Sequence, residues 1–524
     1  MSNIPQTSVL LLLLLSVCGN DAARILAVYP TPSISHQVVF RPLTLELLKR
    51  GHELVVITTD PIFPNGKAPA NLTEIDFHDK SYTLWREHFL KSIVNQGTKE
   101  DSMEKGLLMY YTMLEIFKEQ ITSKEVQTIL KDKSNKFDLL LLEAYFIPAL
   151  ALTHFIKAPV IQISSLGSTV ENLAIVGAST HPLLFPTMVH QKIYNQTMWD
   201  KLRELIVYCY YTFFVGEVST KTERFLKETF GPDLPDTSQL RNNVDLVFLN
   251  VHPIWEMNRP MPPNVIYTGG LHQNPQKELP QDLKEYLDLS ENGVIYISFG
   301  TNVNTSLLIP EKVQIMIDVL STLSYDVLWK WNTDELPGRS KNIKISKWLP
   351  QSDLLRHPKI KLFITQGGLQ STDETITAGV PIIGMPILGD QWYNVEQCVH
   401  HKVGVYVDMG TMTEEIFKQA LDEVLNNDSY RRNMQRLRAL MRDQPQTPLE
   451  RAVWWTEYVL RNGGARHLRS PSANITWSQY FELELVFYIS IVIITLLVLL
   501  GYISLKVLKL IKNSLFAKAK VKFS

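Results

Sequence analysis

Apolar residues recur along this chain with strand-like and helix-like periods in turn, and the alternation predicts repeated strand–helix units. Ile25 to Tyr29 reads as a short buried strand. Val38 to Arg50 has helical spacing, Gly51 suits the position just past a helix, and Leu54 to Thr58 is the next strand. No G-x-G-x-x-G follows the first strand, which argues against a dinucleotide site. Phe137 to Leu142 and Pro159 to Ile163 predict further buried strands. A second run starts near Asn292, with strands over Val294–Phe299, Asp326–Trp331, Ile343–Ser346 and Lys361–Thr365 and a helix over Pro310–Leu323. Pro260-Met-Pro-Pro263 and Asn274 to Pro280 read as a linker between the runs. Two doubly wound α/β units are therefore expected, with a cleft between them as the place for a ligand. Pro448 to Arg461 predicts a late helix, ended by Asn462-Gly-Gly464. The aromatic, apolar stretch from Ser164 to Phe230 predicts irregular helices. Ordinary core is the expected role there, with a face for membrane or a greasy ligand as the alternative.

The two ends read differently. Val9 to Val17 is an apolar run followed by small and polar residues to Ala23, so 1–23 reads as a secretory signal. Cleavage after Gly19 fits, with Ala22 and Ala23 as alternatives. Leu485 to Leu505 is uncharged, and at about 1.5 Å per residue such a helix crosses the roughly 30 Å of a bilayer core. The tail 506–524 holds six lysines and no acid, so it is expected in the cytosol and the rest in the lumen. Its close, Lys520-Val-Lys-Phe-Ser524, resembles a KxKxx retrieval signal of the endoplasmic reticulum. Asn71, Asn195, Asn304, Asn427 and Asn474 stand in N-x-Ser/Thr sequons and are candidate glycan sites.

Composition narrows the picture. The 524 residues are 45% hydrophobic and 20% charged, which describes a globular chain with a large core. A net charge of -1 gives no support for nucleic-acid binding. Cys209 and Cys398, with Cys18 in the signal, are too few for a disulfide framework or a structural zinc site, and no clustered metal motif is present.

The chemistry concentrates at Phe363-Ile-Thr-Gln-Gly-Gly-Leu-Gln-Ser-Thr-Asp-Glu374. The strand breaks into a turn at Gly367-Gly368 and continues as a helix from Ser371, which collects free N–H groups and a helix dipole at one point, as an anion site does. Together with Trp348-Leu-Pro-Gln351, Gly379-Val-Pro381 and Asp390-Gln391, this block resembles the donor signature of UDP-glycosyltransferases, and the Thr-Gln-Gly-Gly-Leu-Gln-Ser variant is most like insect members. The resemblance runs from signal to lysine tail. It implies a GT-B fold, with two facing Rossmann-like domains: an acceptor-binding domain over 24–275 and a UDP-sugar-binding domain over 285–447. A late helix and juxtamembrane linker over 448–480 would follow, then the membrane helix.

The resemblance also implies roles. Trp348 would stack on uracil, and Gln351 and Glu374 would hold the ribose hydroxyls, a carboxylate being suited to a vicinal diol. Gln366, Gly368, Gln370 and Ser371 map to the diphosphate, Thr301 adds a contact from a neighbouring loop, and Asp390 and Gln391 map to the sugar hydroxyls. Most relatives carry His where this chain has Gln366, which shifts leaving-group stabilisation toward the helix N-terminus. His36 maps to the general base, and Glu143 stands where relatives carry the orienting Asp; Asp138 is the alternative at the other end of that strand. The implied reaction is an inverting transfer from a UDP-sugar, with glucose expected, to a hydroxyl of a small lipophilic acceptor in conjugation or detoxification, with no metal or other cofactor. Glucuronosyl or galactosyl transfer, an inactive nucleotide-fold binder, a single-span receptor and homo- or hetero-oligomerisation stay open.

Overall fold

Each α/β run closes into one all-parallel sheet in the computed structural model, which describes residues 22–64, 66–89, 102–132, 134–301, 303, 305 and 308–522. The expected signal therefore lies outside the described residues except for Ala22 and Ala23, as does Asn304. The first sheet holds β1 (Arg24–Tyr29), β2 (Glu53–Thr58), β3 (Leu72–Asp76), β4 (Leu139–Glu143), β5 (Val160–Ser164), β6 (Val244–Leu249) and β7 (Val265–Tyr267), in the order β3-β2-β1-β4-β5-β6-β7. The second holds β8 (Val294–Ser298), β9 (Asp326–Lys330), β10 (Ile343–Ser346), β11 (Ile360–Thr365), β12 (Ile382–Gly384) and β13 (Gly404–Tyr406), in the order β10-β9-β8-β11-β12-β13. The central strands are nearly unbroken apolar runs because helices cover both faces, so no residue of β4, β5 or β8 reaches solvent. Strand order reverses between β1 and β4 and again between β8 and β11, and a crevice opens at the carboxyl ends of the strands at such a point.

The helices of the described residues include α1 (Ile34–Lys49), α2 (Ser102–Thr122), α3 (Met198–Phe230), α4 (Gln351–Leu355), α5 (Leu369–Ala378), α6 (Gln391–His400), α7 (Ser429–Arg442), α8 (Pro448–Asn462) and α9 (Leu483–Lys522). Helix α1 links β1 to β2 and buries Val39, Phe40, Leu43 and Leu47 against the first sheet. Helix α8 joins the same core through Ala452, Val453 and Val459, and Arg50 Nη1 lies 3.1 Å from Glu457 Oε1. The late helix thus completes the first half of the molecule, and that half is built from two separate stretches of chain.

The stretch expected to be irregular instead contains α3, a single helix of 33 residues. It is started by a capping box in which the Thr197 side chain accepts from Asp200 N, and that carboxylate accepts from Thr197 N. Ordinary core is not its role over the first turns. Met198, Trp199, Ile206 and Phe213 face outward, Trp199 with 80% of its surface exposed, while Val218 and Leu226 further along are buried.

The sequons fall in different settings. Asn195 and Asn427 are exposed, Asn474 is half-buried, and the Asn71 Nδ2 donates to the Leu48 and His52 carbonyl oxygens at 3.1 and 2.8 Å. Residues from Pro471 onward form a unit of their own, dominated by α9. Within Leu483–Ala517 the most apolar 18 residues of that helix have a mean hydropathy of 2.8, making it long and apolar enough to cross a membrane, and it includes the expected span 485–505.

Candidate active site

Loops at the carboxyl ends of the strands bring the two halves together where strand order reverses. On the acceptor side, His36 sits in the first turn of α1, and Glu143 is the last residue of β4. His36 Nδ1 lies 2.8 Å from Glu143 Oε1, and Glu143 Oε2 accepts from Thr31 N at 3.3 Å. With the carboxylate accepting, Nδ1 carries the hydrogen and Nε2 keeps its lone pair, which is the tautomer a general base needs. Glu143 is completely buried, and its side chain reaches the imidazole at hydrogen-bond distance. Asp138 is placed elsewhere: its Oδ2 accepts from Arg24 N at 2.8 Å, at the start of β1.

Sequence reasoning passed over Ser165. Its hydroxyl lies 2.9 Å from His36 Nδ1, and its carbonyl oxygen accepts from Gln370 Nε2 of the second half at 2.8 Å and from Asn250 Nδ2 at 3.3 Å. Gln370, mapped by resemblance to the diphosphate, therefore reaches across the cleft to the loop beside the imidazole. Nothing in the local pattern around Ser165 signals this, because the contact exists only once β5 and α5 face each other.

On the donor side, β11 ends at Thr365 and the chain turns through Gln366, Gly367 and Gly368 into α5, with Gly368 at the N-cap. Gly367 has φ +83°, and a Cβ there would meet Val395 Cγ2 at 2.5 Å. Left-handed backbone and contact with a buried valine both call for glycine. Gly367→Ala is accordingly expected to cost about 2–4 kcal/mol of stability, read as a lower thermal midpoint, and to weaken UDP binding as the turn shifts.

Gln366 is buried beneath the turn, close to Gly300, and its Oε1 has no partner among the described residues. A buried amide left unpaired is costly unless a ligand meets it. Thr301 is exposed on the loop after β8, opposite this amide across the strand-order reversal.

Ser371, Glu374 and Gln351 form one cluster. Gln351 Nε2 donates to Ser371 Oγ at 2.9 Å and to Glu374 Oε2 at 2.8 Å, and Tyr296 OH donates to Gln351 Oε1 at 3.1 Å. Burial pushes the Glu374 carboxyl up to about 7, against the lowering effect of Gln351 and Arg356. Trp348 is 65% exposed, with Lys330 Nζ over its ring, 4.8 Å from the ring centre. That lysine also donates to Gly300 O at 3.0 Å, and burial lowers it to about 8.

Asp390 and Gln391 close the far side at the start of α6. Gln391 Oε1 accepts from Ile387 N and Leu388 N at 2.7 and 2.8 Å, so its carbonyl end is held within the loop. Asp390 Oδ2 accepts from Asn394 Nδ2 at 2.7 Å, and burial raises its carboxyl above the usual range, with Asn394 and the nearby His36 opposing that rise. Asn394 also donates to Gly367 O at 3.0 Å and accepts from Trp255 Nε1 of the first half at 2.9 Å. One buried amide thus ties the glycine turn, the Asp390 carboxylate and the opposite half of the cleft together. Among the described residues no group of His, Cys, Asp or Glu is spaced to hold a metal ion.

Residues 24–517 match the family model described as UDP-glucoronosyl and UDP-glucosyl transferase. The chain is similar to the ecdysteroid UDP-glucosyltransferase of Spodoptera littoralis nuclear polyhedrosis virus, 35% identical over 498 residues covering 91% of this chain and 96% of the relative. It is also similar to UDP-glycosyltransferase UGT4 of Dactylopius coccus, 30% identical over 93% of this chain and 95% of that one. Among solved structures, Arabidopsis thaliana UGT89C1 complexed with UDP-L-rhamnose aligns over 84% of this chain and 100% of its own with a TM-score of 0.57; at 14% identity this is a likeness of fold, the GT-B arrangement of two Rossmann-like halves.

Proposed function

The chain belongs to the UDP-glucoronosyl and UDP-glucosyl transferase family and is a UDP-glycosyltransferase, and we propose that it transfers glucose, with inversion, from UDP-glucose to a hydroxyl of a small lipophilic acceptor. His36 Nε2 takes the proton of the acceptor hydroxyl as that oxygen attacks the anomeric carbon. The bond from that carbon to the diphosphate oxygen breaks on the opposite face, and UDP leaves with the electron pair. The observation that carries this reading is the 2.8 Å pairing of His36 Nδ1 with the buried Glu143, which leaves the other nitrogen without a partner among the described residues.

Several features support the roles on the donor side. Trp348 offers its exposed face to the uracil, and Gln351 and Glu374 lie together for the ribose diol. The helix N-terminus, Gln366, Gly368, Gln370, Ser371 and Thr301 surround the place for the diphosphate, with Asp390 and Gln391 toward the sugar. Arginine and histidine are absent from this turn, so charge developing on the leaving diphosphate is met by N–H groups and the α5 dipole. Lys330 adds a cation at the uracil end.

An apolar acceptor fits the wall beside the base. The Tyr145 ring stands edge-on 5.9 Å from the imidazole, and Met109 Sδ lies 3.9 Å from its hydroxyl. Relatives named for ecdysteroid glucosylation are consistent with a hydroxylated, largely hydrocarbon acceptor and a role in conjugation or detoxification. We place the catalytic halves in the lumen of the endoplasmic reticulum, anchored by α9 with the lysine tail cytosolic, on the strength of the amino-terminal apolar run, the sequons and the Lys520–Lys522 pair.

Full-length protein assayed with UDP-glucose, UDP-glucuronate and UDP-galactose against simple phenols and a polyhydroxylated steroid tests the reading. UDP-glucose is expected to support the fastest turnover, with release of UDP and a β-linked product. Preference for UDP-glucuronate would overturn the sugar assignment. UDP binding without turnover on any acceptor would favour a binding protein.

A further inference from the structure

A cavity of about 720 Å³ lies away from the catalytic cleft, on the opposite face of α5 from Ser371 and Glu374. At about 100° per residue along a helix, Ser371 and Glu374 share one face of α5, while Asp373, Ile376 and Thr377 fall on the other and line the cavity. Its remaining walls are the two places where the chain crosses between halves, the linker around Gly269–Gln276 and the return crossing around Gln444–Pro448, together with the end of α7, His252 of the first half and Arg356 just after α4.

The charge in this cavity is one-sided. Arg356, Arg438 and Arg442 line it, and none of the three forms an ion pair among the described residues. Arg356 spends N–H groups on the Asn274 carbonyl, at 3.1 Å from both Nη1 and Nη2, which pins the linker to the donor half. Burial and the nearby Arg438 and Arg356 charges hold the Arg442 guanidinium below its usual value. Among the described residues Asp373 is the only acid in the lining; 9% of its surface is exposed, and its Oδ2 has no hydrogen-bond partner there. Burial and the adjacent Glu374 charge push its carboxyl up to about 7, so near neutral pH much of it is a neutral acid with an O–H to donate. Three guanidiniums and a donor carboxyl lining one concavity suit an oxyanion, because guanidinium forks match phosphate oxygens.

We propose that this cavity binds a phosphorylated small molecule, its phosphate held by Arg356, Arg438 and Arg442 and its body filling the space between the two chain crossings. The volume falls within the range of small-molecule sites and exceeds the needs of one phosphate. Such a ligand touches both crossings, so it links the two halves from behind while the donor occupies the cleft in front.

The test uses full-length protein in detergent at constant ionic strength, with UDP saturating so that the diphosphate place in the cleft is filled. Inorganic phosphate and then glucose 6-phosphate are titrated by calorimetry. Saturable binding is expected, tighter for the sugar phosphate, and weakened at least tenfold in R438A/R442A while UDP affinity is unchanged. R442A alone, on an exposed side chain, serves if the double variant does not fold, and a severalfold loss is expected there. Absence of saturable binding to wild type, or equal affinity in wild type and either variant, would overturn the proposal. Failure of UDP itself to bind would count against the transferase reading instead, and the wild-type against R442A comparison would then be made without it.

Discussion

Replacing His36 with alanine is expected to lower turnover by about 10²–10⁴-fold while leaving UDP affinity unchanged. The imidazole makes its hydrogen bonds to Glu143 and Ser165, both at the acceptor end, and its nearest donor-side neighbour, Asp390, is mapped to the sugar and not to UDP. Glu143→Gln is expected to fall in between. An amide can still meet Nδ1, but it no longer stabilises the imidazolium that forms as the proton arrives, nor does it enforce the tautomer. Asp138→Asn should leave turnover close to wild type, since that carboxylate pairs with Arg24 N at the far end of the strand. Steady-state rates with calorimetric UDP binding separate the outcomes. Appreciable turnover by the His36→Ala protein would sink the base assignment.

The second large effect is expected at Glu374, where affinity for the donor should depend on pH. In the free site burial holds this carboxyl near 7, whereas a ribose diol donating to it favours the ionised form. The donor complex therefore binds fewer protons than the free site, so affinity rises with pH up to about 7 and levels off above it. Between pH 8 and pH 6 the expected loss is about tenfold, following the limiting slope of one decade per unit. Glu374→Gln should weaken UDP binding by about 10–100-fold at pH 8, the loss of charge-assisted hydrogen bonds, and should flatten this dependence. Because UDP titrates in the same range, the informative quantity is the difference between wild type and variant. Parallel pH curves for the two proteins would remove Glu374 from the ribose site. Apo stability carries the opposite sign. A carboxyl raised in the folded state costs stability as pH climbs from its unfolded value toward 7, so the variant is expected to be the more stable apo protein at pH 8.

Much of this architecture was legible because β/α runs buried on two faces leave a plain pattern. Strands such as Ile343–Ser346 fall where the spacing places them, and β11, the glycine turn and α5 follow from Lys361–Thr365 and Gly367-Gly368, with α5 starting two residues earlier than Ser371. What remained hidden depends on contacts between distant segments. Ser165, Asn394 and Lys330 acquire meaning only from what faces them, and no local period marks a serine that will sit 2.9 Å from an imidazole more than a hundred residues away. Helix α3, expected only as irregular helices, escaped as one long helix for a different reason. Its aromatic residues spread around the axis instead of forming one stripe, which hides the 3.6-residue period, although the Thr197–Asp200 capping box announces its start.

The packing of α8 against α1 sets the terms on which parts of this enzyme can be exchanged. The half that surrounds His36 is discontinuous in the gene: its sheet ends at Tyr267, and its last core residues, Ala452, Val453 and Val459, are encoded after the whole donor half. A chimera that imports a new acceptor specificity by a single crossover would pair a foreign α1 with a native α8, breaking the Arg50–Glu457 contact and the apolar seam beneath it. A donor cassette, by contrast, is one uninterrupted stretch. Recombination should therefore tolerate swapping what this protein gives away more readily than swapping what it gives it to, unless the two acceptor pieces travel together.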